Sequence, residues 1–255
     1  MDLGISGRHA VVCGASKGLG LGCARVLASE GARVTLVARG RDDLERAAQE
    51  LQREVGIVST VCADVSTEFG RQRIVEECGD VDILINNAGG PKPGGFRDWT
   101  REDWISALDS NALSAVFLTR AFIDGMIARR FGRIVNITSI GVKQPQPMLG
   151  LSTSARLALT GFVASVAREV AMHNVTINNL LPGYFDTLRL RTALEAWEGQ
   201  GERQAAPALE EKIPAGRLGT PEEFGAMCAF VCSKQASYMT GQNILLDGGI
   251  YAGTL

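Results

Sequence analysis

Gly14-Ala15-Ser16-Lys17-Gly18-Leu19-Gly20 is the stretch of this sequence that decides its fold. It follows a short apolar run, His9 to Cys13, that predicts a β-strand, and a helical pattern begins at Gly18 and continues to Glu30. Glycines permit a tight turn and let the backbone approach a pyrophosphate, and a helix N-terminus supplies free N–H groups and a partial positive charge. A glycine cluster between a strand and a helix predicts a dinucleotide-binding turn; the alternative is a tight turn without a ligand.

Short apolar runs alternate with longer amphipathic patterns along the rest of the chain. Further strands are predicted at 33–38, 58–63, 81–85, 132–138, 176–181 and 243–246, and further helices at 41–55, 68–78, about 100–130, 151–173 and 221–232. Such alternation is typical of a parallel sheet with helices on both faces, so the sequence predicts a Rossmann-type, doubly wound α/β fold. No linker or short repeat interrupts the pattern, and residues 1–255 are predicted to form a single dinucleotide-binding domain.

The stretch 184–217 departs from this rhythm, because it contains three glycines and two prolines. In doubly wound sheets the ligand lies beyond the carboxyl ends of the strands. This stretch follows the strand predicted at 176–181 and leaves its carboxyl end. We therefore predict an irregular segment here that acts as a substrate lid.

Composition limits the class of function. The 255 residues have a net charge of −2, which argues against a nucleic-acid or membrane-surface role. No basic region precedes an apolar run at the N-terminus, and no run reaches the ~18 apolar residues of a membrane span, so a cytoplasmic location is expected. Six scattered cysteines without C-x-x-C spacing are expected to be buried thiols, and no residue pattern predicts a metal site.

The end of the second strand indicates which dinucleotide binds. NAD-binding folds carry an acid roughly 20 residues after the last glycine, where it holds the ribose 2′-hydroxyl. This chain has Ala38-Arg39-Gly40-Arg41 at that point and no acid. Arg39 can meet a 2′-phosphate with two hydrogen bonds, and Lys17 can reach the same group from the glycine turn. The sequence therefore favours NADP over NAD, the alternative being that both are solvated surface cations.

Short motifs add a family resemblance. They are the glycine turn 14–20, Asp64-Val65, Asn86-Asn87-Ala88-Gly89, Asn111 in a helix, Ser139 after the fifth strand, Pro182-Gly183 with Thr187, Thr240-Gly241-Gln242 and Asp247-Gly248-Gly249. Together they resemble the short-chain dehydrogenase/reductase family, in particular its compact 3-oxoacyl-acyl-carrier-protein reductases, over nearly the whole chain. The resemblance implies about seven parallel strands and NADP across their carboxyl ends.

Residue roles follow from the same resemblance. It implies a catalytic asparagine at Asn111 and a catalytic serine at Ser139. It also implies cofactor contacts from Gly14, Ser16, Gly18, Leu19, Gly20, Asp64, Val65, Asn86, Ala88, Gly89, Pro182, Gly183 and Thr187, to which the chemistry of the side chains adds Lys17, Arg39 and Arg156. Asp64 and Val65 correspond to the pair beside the adenine, and Pro182, Gly183 and Thr187 to the loop that holds the nicotinamide.

The chain departs from the family at its catalytic pair. The family places Tyr-x-x-x-Lys about thirteen residues after the serine, and this chain has Ser152 and Arg156 there, with Gly161-Phe162 keeping the register. Hydride transfer to a carbonyl leaves an alkoxide that must gain a proton. A neighbouring ammonium can lower the pKa of a tyrosine, ordinarily ~10, whereas a serine hydroxyl is a far poorer acid. Arg156 stays charged and can still bond the nicotinamide ribose.

Three interpretations remain open. In the first, the protein is a carbonyl reductase with a relocated proton donor: Tyr184, Lys143, or water held by Ser139, Ser152 and Asn111. In the second, the site performs other chemistry on a carbonyl compound around a structural nucleotide. In the third, the chain binds a nucleotide with little catalysis. The sequence favours the first, with a ketone or 3-oxoacyl-like substrate.

Two expectations concern the substrate pocket and the assembly. Plausible pocket residues are Phe96, Trp99, Gln144, Gln146, Met148 and Tyr184. In the family, the helices corresponding to 100–130 and 151–173 pack against a sister subunit, so a homotetramer, or a homodimer, is expected. The alternative for the apolar pattern of Leu113, Val116, Phe117 and Phe122 is the core of a monomer.

Overall fold

A single parallel sheet organises the protein, whose computed structural model describes residues 1–55, 57–199 and 209–254. The strands are β1 (His9–Cys13), β2 (Arg33–Ala38), β3 (Val58–Cys62), β4 (Ile83–Asn86), β5 (Gly132–Ile137), β6 (Val175–Pro182) and β7 (Asn243–Leu246). Their order is β3-β2-β1-β4-β5-β6-β7, and every neighbouring pair is parallel. The order reverses between β1 and β4, where such sheets bind their ligands.

Helices cover both faces of the sheet. They are α1 (Gly18–Ser29), α2 (Arg41–Val55), α3 (Glu68–Cys78), α4 (Arg101–Leu108), α5 (Ser114–Ala128), α6 (Gly150–Val170), α7 (Leu188–Gly199) and α8 (Pro221–Val231). Alternate residues of β1 point to opposite faces: Ala10 and Val12 join a core with α1, α2 and α8, and Val11 and Cys13 join a core with α3, α5 and α6. The prediction of a doubly wound fold with seven parallel strands is confirmed.

The prediction of one long helix at about 100–130 is wrong in one respect. A π-helical turn, Asp109–Leu113, separates α4 from α5. Two serine hydroxyls bond main-chain carbonyls at this point, Ser110 to Ser106 over 2.8 Å and Ser114 to Ser110 over 2.7 Å. A π turn inserts an extra residue without changing which residues are apolar, so hydrophobic periodicity cannot detect it. It holds Asn111 in the interior, where that residue is 5% exposed.

The same helical stretch bears on the membrane expectation. Arg101–Ala128 is long and apolar enough, by length and composition, to cross a membrane, contrary to the expectation that no segment would be. However, Leu118, Phe122 and Met126 of α5 lie in the core against the sheet. A packed core helix of this kind passes the same test.

The stretch 184–217 is more regular than predicted. It contains α7, and a parallel bridge between Phe185 and Gly219 joins its first residues to the chain before α8. Phe185 packs edge-on against Phe224 with ring centroids 5.2 Å apart. Residues 200–208 of the predicted lid lie outside the described residues.

Candidate active site

The glycine turn lies between β1 and α1, as predicted. Gly14 and Gly18 have φ of +59° and +60°, values that disfavour residues with a Cβ. A Cβ on Gly20 would overlap the carbonyl oxygen of Gly14, so the start of α1 can pack this closely only without a side chain. Lys17 is the N-cap residue of α1, and its side chain makes no hydrogen bond to the main-chain N–H groups of the first turn. The N–H groups of the first turn are therefore available to an anion such as a pyrophosphate.

A cleft of about 510 Å³ lies at the carboxyl ends of β2, β3 and β4. Its lining residues are Arg39, Ser66, Thr67, Gly89, Gly90, Pro91, Glu102, Ile105, Ser106, Asp109 and Ser110. Asn87 links the turn to the loop after β4, because its Nδ2 donates to the Gly14 carbonyl oxygen over 3.2 Å. The cleft thus joins the predicted adenosine side, at Arg39, to the predicted catalytic side, beside Asn111.

Arg39 and Lys17 are both in contact with acids. Arg39 Nη1 lies 3.8 Å from Asp64 Oδ2, and Lys17 Nζ lies 3.9 Å from Asp43 Oδ2. The Arg39 and Lys17 side chains are 74% and 63% exposed. Exposed pairs of this length contribute little to stability, so a phosphate can compete for both cations. Asp64 is fixed from its other oxygen, which accepts from the Ser66 hydroxyl over 2.7 Å.

Asn86 ends a row of asparagine side chains that crosses four strands. Asn86 Nδ2 donates to Asn136 Oδ1 over 2.9 Å, Asn136 donates to Asn179 over 3.0 Å, and Asn179 donates to Asn243 over 2.8 Å. Because each Nδ2 donates to the Oδ1 of the next asparagine, the orientation of every amide in the row is fixed. Asn86 Oδ1 is consequently buried without a partner in the described part of the chain.

The remaining predicted cofactor residues border the same region. Ser16, Leu19, Val65, Ala88, Pro182, Gly183 and Thr187 are partly exposed, and Gly89 is exposed. Thr187 lies beside the glycine turn, since a Cβ on Gly18 would be 3.6 Å from its methyl carbon. Gly183 N–H donates to the Leu246 carbonyl oxygen over 2.8 Å and anchors this loop to β7. The glycine turn, the loop after β4 and the loop after β6 therefore meet at one edge of the sheet.

Asn111 and Ser139 occupy the catalytic side. Asn111 Nδ2 donates to the Gly89 carbonyl oxygen over 3.3 Å and to Ser110 Oγ over 2.7 Å. Its Oδ1 is buried and accepts no hydrogen bond from any described residue. Ser139 Oγ accepts from Gly141 N–H over 3.0 Å, and a Cβ on Gly141 would lie 3.1 Å from Thr153 Oγ1. Ser139 is thereby held close to the first turn of α6, which carries Ser152.

Ser152 and Arg156 form a hydrogen-bonded pair one turn apart on α6. Arg156 Nε donates to Ser152 Oγ over 3.1 Å, and its Nη1 donates to the Ile137 carbonyl oxygen over 2.8 Å. Arg156 is only 8% exposed, and no carboxylate of the described residues pairs with it. Burial lowers the pKa of Arg156 to about 10, and the charge of Arg189 acts in the same direction. The guanidinium is therefore still charged at neutral pH.

Tyr184 and Lys143, the two side chains predicted as alternative acids, contact apolar or aromatic residues. Tyr184 packs with Leu190, Leu194 and Leu209, and burial raises the pKa of its hydroxyl, which makes it a weaker acid. Lys143 Nζ lies 5.5 Å from the centroid of the Tyr251 ring, a cation–π contact. Neither hydrogen-bonds to Ser152 or Arg156.

The predicted pocket residues differ in exposure. Phe96 and Met148 are 69% and 57% exposed, Gln144 is exposed, and Gln146 is partly buried. Trp99 lies against the start of α6, because a Cβ on Gly150 would be 2.9 Å from its ring. Its Nε1 is buried without a partner among the residues described.

Arg189, in the first turn of α7, was not predicted as a site residue. A Cβ on Gly90 would lie 2.5 Å from its Nη2, so the guanidinium lies against the backbone of the cleft wall. Its position two residues after Thr187 was the one signal available in the sequence. The contact with Gly90 depends on the fold, because the two residues are far apart in the chain.

These features fit a dinucleotide such as NADP. The turn has the open N–H groups and absent side chains that a pyrophosphate needs, and exposed cations lie near the end of β2. Two buried amide oxygens beside the cleft lack donors. Among residues 1–55, 57–199 and 209–254, no group of three or more histidine, cysteine, aspartate or glutamate side chains is placed to hold a metal ion.

Comparison with known proteins agrees with this geometry. The family described as enoyl-(acyl carrier protein) reductase matches residues 14–251. The 3-oxoacyl-[acyl-carrier-protein] reductase FabG of Vibrio cholerae is 32% identical over 250 residues, which cover 98% of this chain and 99% of that protein. Dehydrogenase/reductase SDR family member 4 of Oryctolagus cuniculus is 34% identical over 251 residues, 96% of this chain and 94% of that protein.

A solved structure is similar over the full length. L-sorbose reductase from Gluconobacter frateurii, in complex with NADPH and L-sorbose, superposes with a TM-score of 0.91 at 34% identity. The match covers 99% of this chain and 100% of that one. The fold, the motifs and these relatives lead to one assignment: the chain belongs to the short-chain dehydrogenase/reductase family.

Proposed function

We propose that this protein is an NADP(H)-dependent oxidoreductase that reduces a carbonyl group. We also propose that its proton donor is a group other than the tyrosine that the family places where this chain has Ser152. The observation that supports this most directly is that the π turn carrying Asn111 and the turn after Ser139 both pack against α6, which carries the Ser152–Arg156 pair. Relatives that include a 3-oxoacyl-[acyl-carrier-protein] reductase and a sorbose reductase support carbonyl reduction. The substrate is a ketone or a 3-oxoacyl-like compound.

NADP(H) is the cofactor, as in the sorbose reductase complex. When bound, it supplies the hydride that a carbonyl carbon accepts. The glycine turn and the N-terminus of α1 would hold its pyrophosphate, and Arg39 with Lys17 would hold the 2′-phosphate. Arg156 would bond the nicotinamide ribose through the part of its guanidinium that Ile137 and Ser152 leave available.

Ser139 and Ser152 would hold the carbonyl oxygen. Arg156 donates to Ser152 Oγ, so this oxygen serves as the acceptor and its own O–H is left to donate to a ligand. A hydroxyl in this position can stabilise a developing alkoxide by hydrogen bonding. It cannot readily give up its proton, because serine is a poor acid.

Water connected to bulk solvent is the proton donor that best suits the site, because it can give a proton to the alkoxide and take one back from the solvent. Asn111 Oδ1 is a buried acceptor without a protein partner, and such groups are commonly satisfied by an ordered water. A water bonded there would lie on the side of the cleft that holds Gly89 and Ser110. Of the three donors considered, Tyr184 and Lys143 are engaged with apolar or aromatic neighbours, which favours the water.

Two other functions remain as alternatives, because Ser152 and Arg156 occupy the expected tyrosine and lysine positions. One is non-redox chemistry on a carbonyl compound around a structural nucleotide. The other is a nucleotide-binding protein with little catalysis. Both retain the cofactor site and lack NADPH oxidation, so they are separable from the reductase by a single assay.

The assembly and the location are also proposals. Leu113, Phe117 and Leu157, on the π turn, α5 and α6, are between 38% and 45% exposed, whereas Phe122 lies in the core. A partner subunit that covers these three exposed side chains would support a homotetramer or homodimer. We also propose a cytoplasmic location and a small-molecule substrate, without nucleic-acid or membrane partners.

The deciding experiment follows NADPH absorbance with a panel of ketones, diketones and acyl thioesters. Turnover of a carbonyl substrate, with the alcohol recovered as product, is the expected result. Calorimetry with NADPH is run in parallel to establish that the cofactor site is intact. Binding of NADPH without turnover of any panel member would contradict the proposal and favour the two alternatives.

A further inference from the structure

We infer that the cleft takes a substrate bearing a carboxylate, and that Arg189 is the residue that selects it. The inference rests on the proposed function and names its substrate class. It starts from two guanidinium groups without a carboxylate partner in the described chain: Arg189, which lies against Gly90, and Arg156, which bonds Ser152 and the Ile137 carbonyl oxygen.

Arg189 lies on the wall of the cleft. Its guanidinium is in contact range of Gly90, which lines the cleft directly, and Gly90 follows the residue whose carbonyl oxygen accepts from Asn111. The side chain is exposed, so it is accessible to a ligand. Arg189 thus contacts the loop that Asn111 bonds through Gly89.

Arg191, which lies two residues after Arg189 on α7, does have a carboxylate partner. It makes two hydrogen bonds of 2.6 Å to the Asp186 carboxylate. Asp186 therefore neutralises Arg191 and leaves Arg189 unpaired among the residues described. Glu102 and Asp109 also line the cleft, but neither lies within ion-pair distance of Arg189 or Arg156.

Arg156 adds a second positive charge. It is buried, and burial, with a smaller contribution from the Arg189 charge, lowers its pKa. Two like charges near one cleft repel each other, and an anion between them would relieve that repulsion. A carboxylate matches the planar donor geometry of a guanidinium and can accept two parallel hydrogen bonds from it.

Anionic oxygens could also come from the pyrophosphate of the cofactor. The N-terminus of α1 already offers that group unpaired N–H donors, at Gly18 and the residues after it. Arg189 instead contacts Gly90 in the loop after β4, on the side of Asn111. We therefore assign Arg189 to the carboxylate of the substrate. The experiments below also test the alternative, in which Arg189 binds the pyrophosphate of the cofactor.

The test compares oxo acids with their methyl esters. Pyruvate, acetoacetate and levulinate are paired with the corresponding methyl esters, and kcat/KM is measured with NADPH. A charge-assisted guanidinium–carboxylate contact predicts an acid-to-ester preference of roughly tenfold to a hundredfold in the unmodified protein. Arg189→Gln should bring this ratio close to one, and Arg191→Gln, the matched control, should leave it unchanged.

A binding measurement separates this inference from the reductase proposal. Calorimetry with pentanoate and with its amide, on protein saturated with NADP⁺, needs no turnover. Pentanoate binding that is lost in Arg189→Gln and kept in Arg191→Gln supports the inference even if no ketone is reduced. Turnover of neutral ketones with no preference for acids overturns the inference and leaves the reductase proposal standing. Weaker NADPH binding in Arg189→Gln with an unchanged acid-to-ester ratio also overturns it, because Arg189 would then serve the cofactor phosphates.

Discussion

Arg156 donates a hydrogen bond from Nε to Oγ of Ser152 over 3.1 Å, one helical turn earlier on α6. The pair occupies the positions at which the family resemblance places tyrosine and lysine. Arg156 keeps the positive charge of the lysine, whereas Ser152 lacks the acidity of the tyrosine. The guanidinium is also anchored to the Ile137 carbonyl oxygen. This geometry favours a site that binds and polarises an oxygen atom and takes its proton from elsewhere.

Restoring the pair should increase reduction. The double variant Ser152→Tyr with Arg156→Lys introduces an acid whose pKa a neighbouring ammonium can lower, so kcat for a ketone should rise by up to about 10²-fold. Stopped-flow NADPH oxidation measures this directly. Arg156→Lys alone supplies no acid and serves as the control. An unchanged kcat in the double variant, with NADPH still bound, would favour a pocket shaped for different chemistry.

Asn111 provides the test of the water donor. Asn111→Leu removes the unpartnered Oδ1 and should lower kcat by roughly 10²-fold or more while NADPH affinity is retained. Asn111→Asp keeps an acceptor at this position and should recover part of the rate. Equal rates for Asn111→Leu and the unmodified protein would argue against a water held by this side chain.

Tyr184→Phe is the complementary variant. Tyr184 packs against Leu194 and Leu209, and its hydroxyl makes no hydrogen bond to Ser152 or Arg156; burial also raises its pKa, which makes it a weaker acid than an ordinary tyrosine. We expect Tyr184→Phe to keep full carbonyl reduction from pH 6 to about 9, with the same pH profile as the unmodified protein. A large fall in kcat at unchanged KM would identify Tyr184 as the acid after all.

Much of this architecture is accessible from sequence, because alternating apolar runs and amphipathic helices leave few possible arrangements. The alternation predicts a parallel sheet covered on both faces, and the family resemblance predicts about seven strands, whereas the strand order and the two cores come from the structure. The break at Asp109–Leu113 does not, because it changes hydrogen bonding and leaves the apolar pattern intact. Arg189 was missed for another reason: its environment is created by Gly90, which the fold brings to it from a distant loop.

Arg39 should decide between the two dinucleotides. Arg39→Asp removes the cation beside the end of β2 and adds a carboxylate that can accept from a ribose 2′-hydroxyl. The KM for NADPH should rise roughly tenfold to a hundredfold, and the KM for NADH should stay level or fall. Arg73→Asp, an equal charge change on α3 where Arg73 pairs with Glu77, is the control. Equal loss of both cofactors would refute a role in 2′-phosphate binding.

Gly20 should tolerate no side chain. A Cβ there overlaps the main-chain oxygen of Gly14, which cannot move without distorting the nucleotide turn, whereas a Cβ on Gly40 meets no atom within 4 Å. Gly20→Ala should therefore lower the free energy of unfolding by about 1–3 kcal/mol and weaken NADPH binding. Gly40→Ala should do neither, because Gly40 is not among the glycines with positive φ. Thermal unfolding and calorimetric titration with NADPH measure both quantities. If the two variants behave alike, close packing of α1 against the turn is not what requires glycine at position 20.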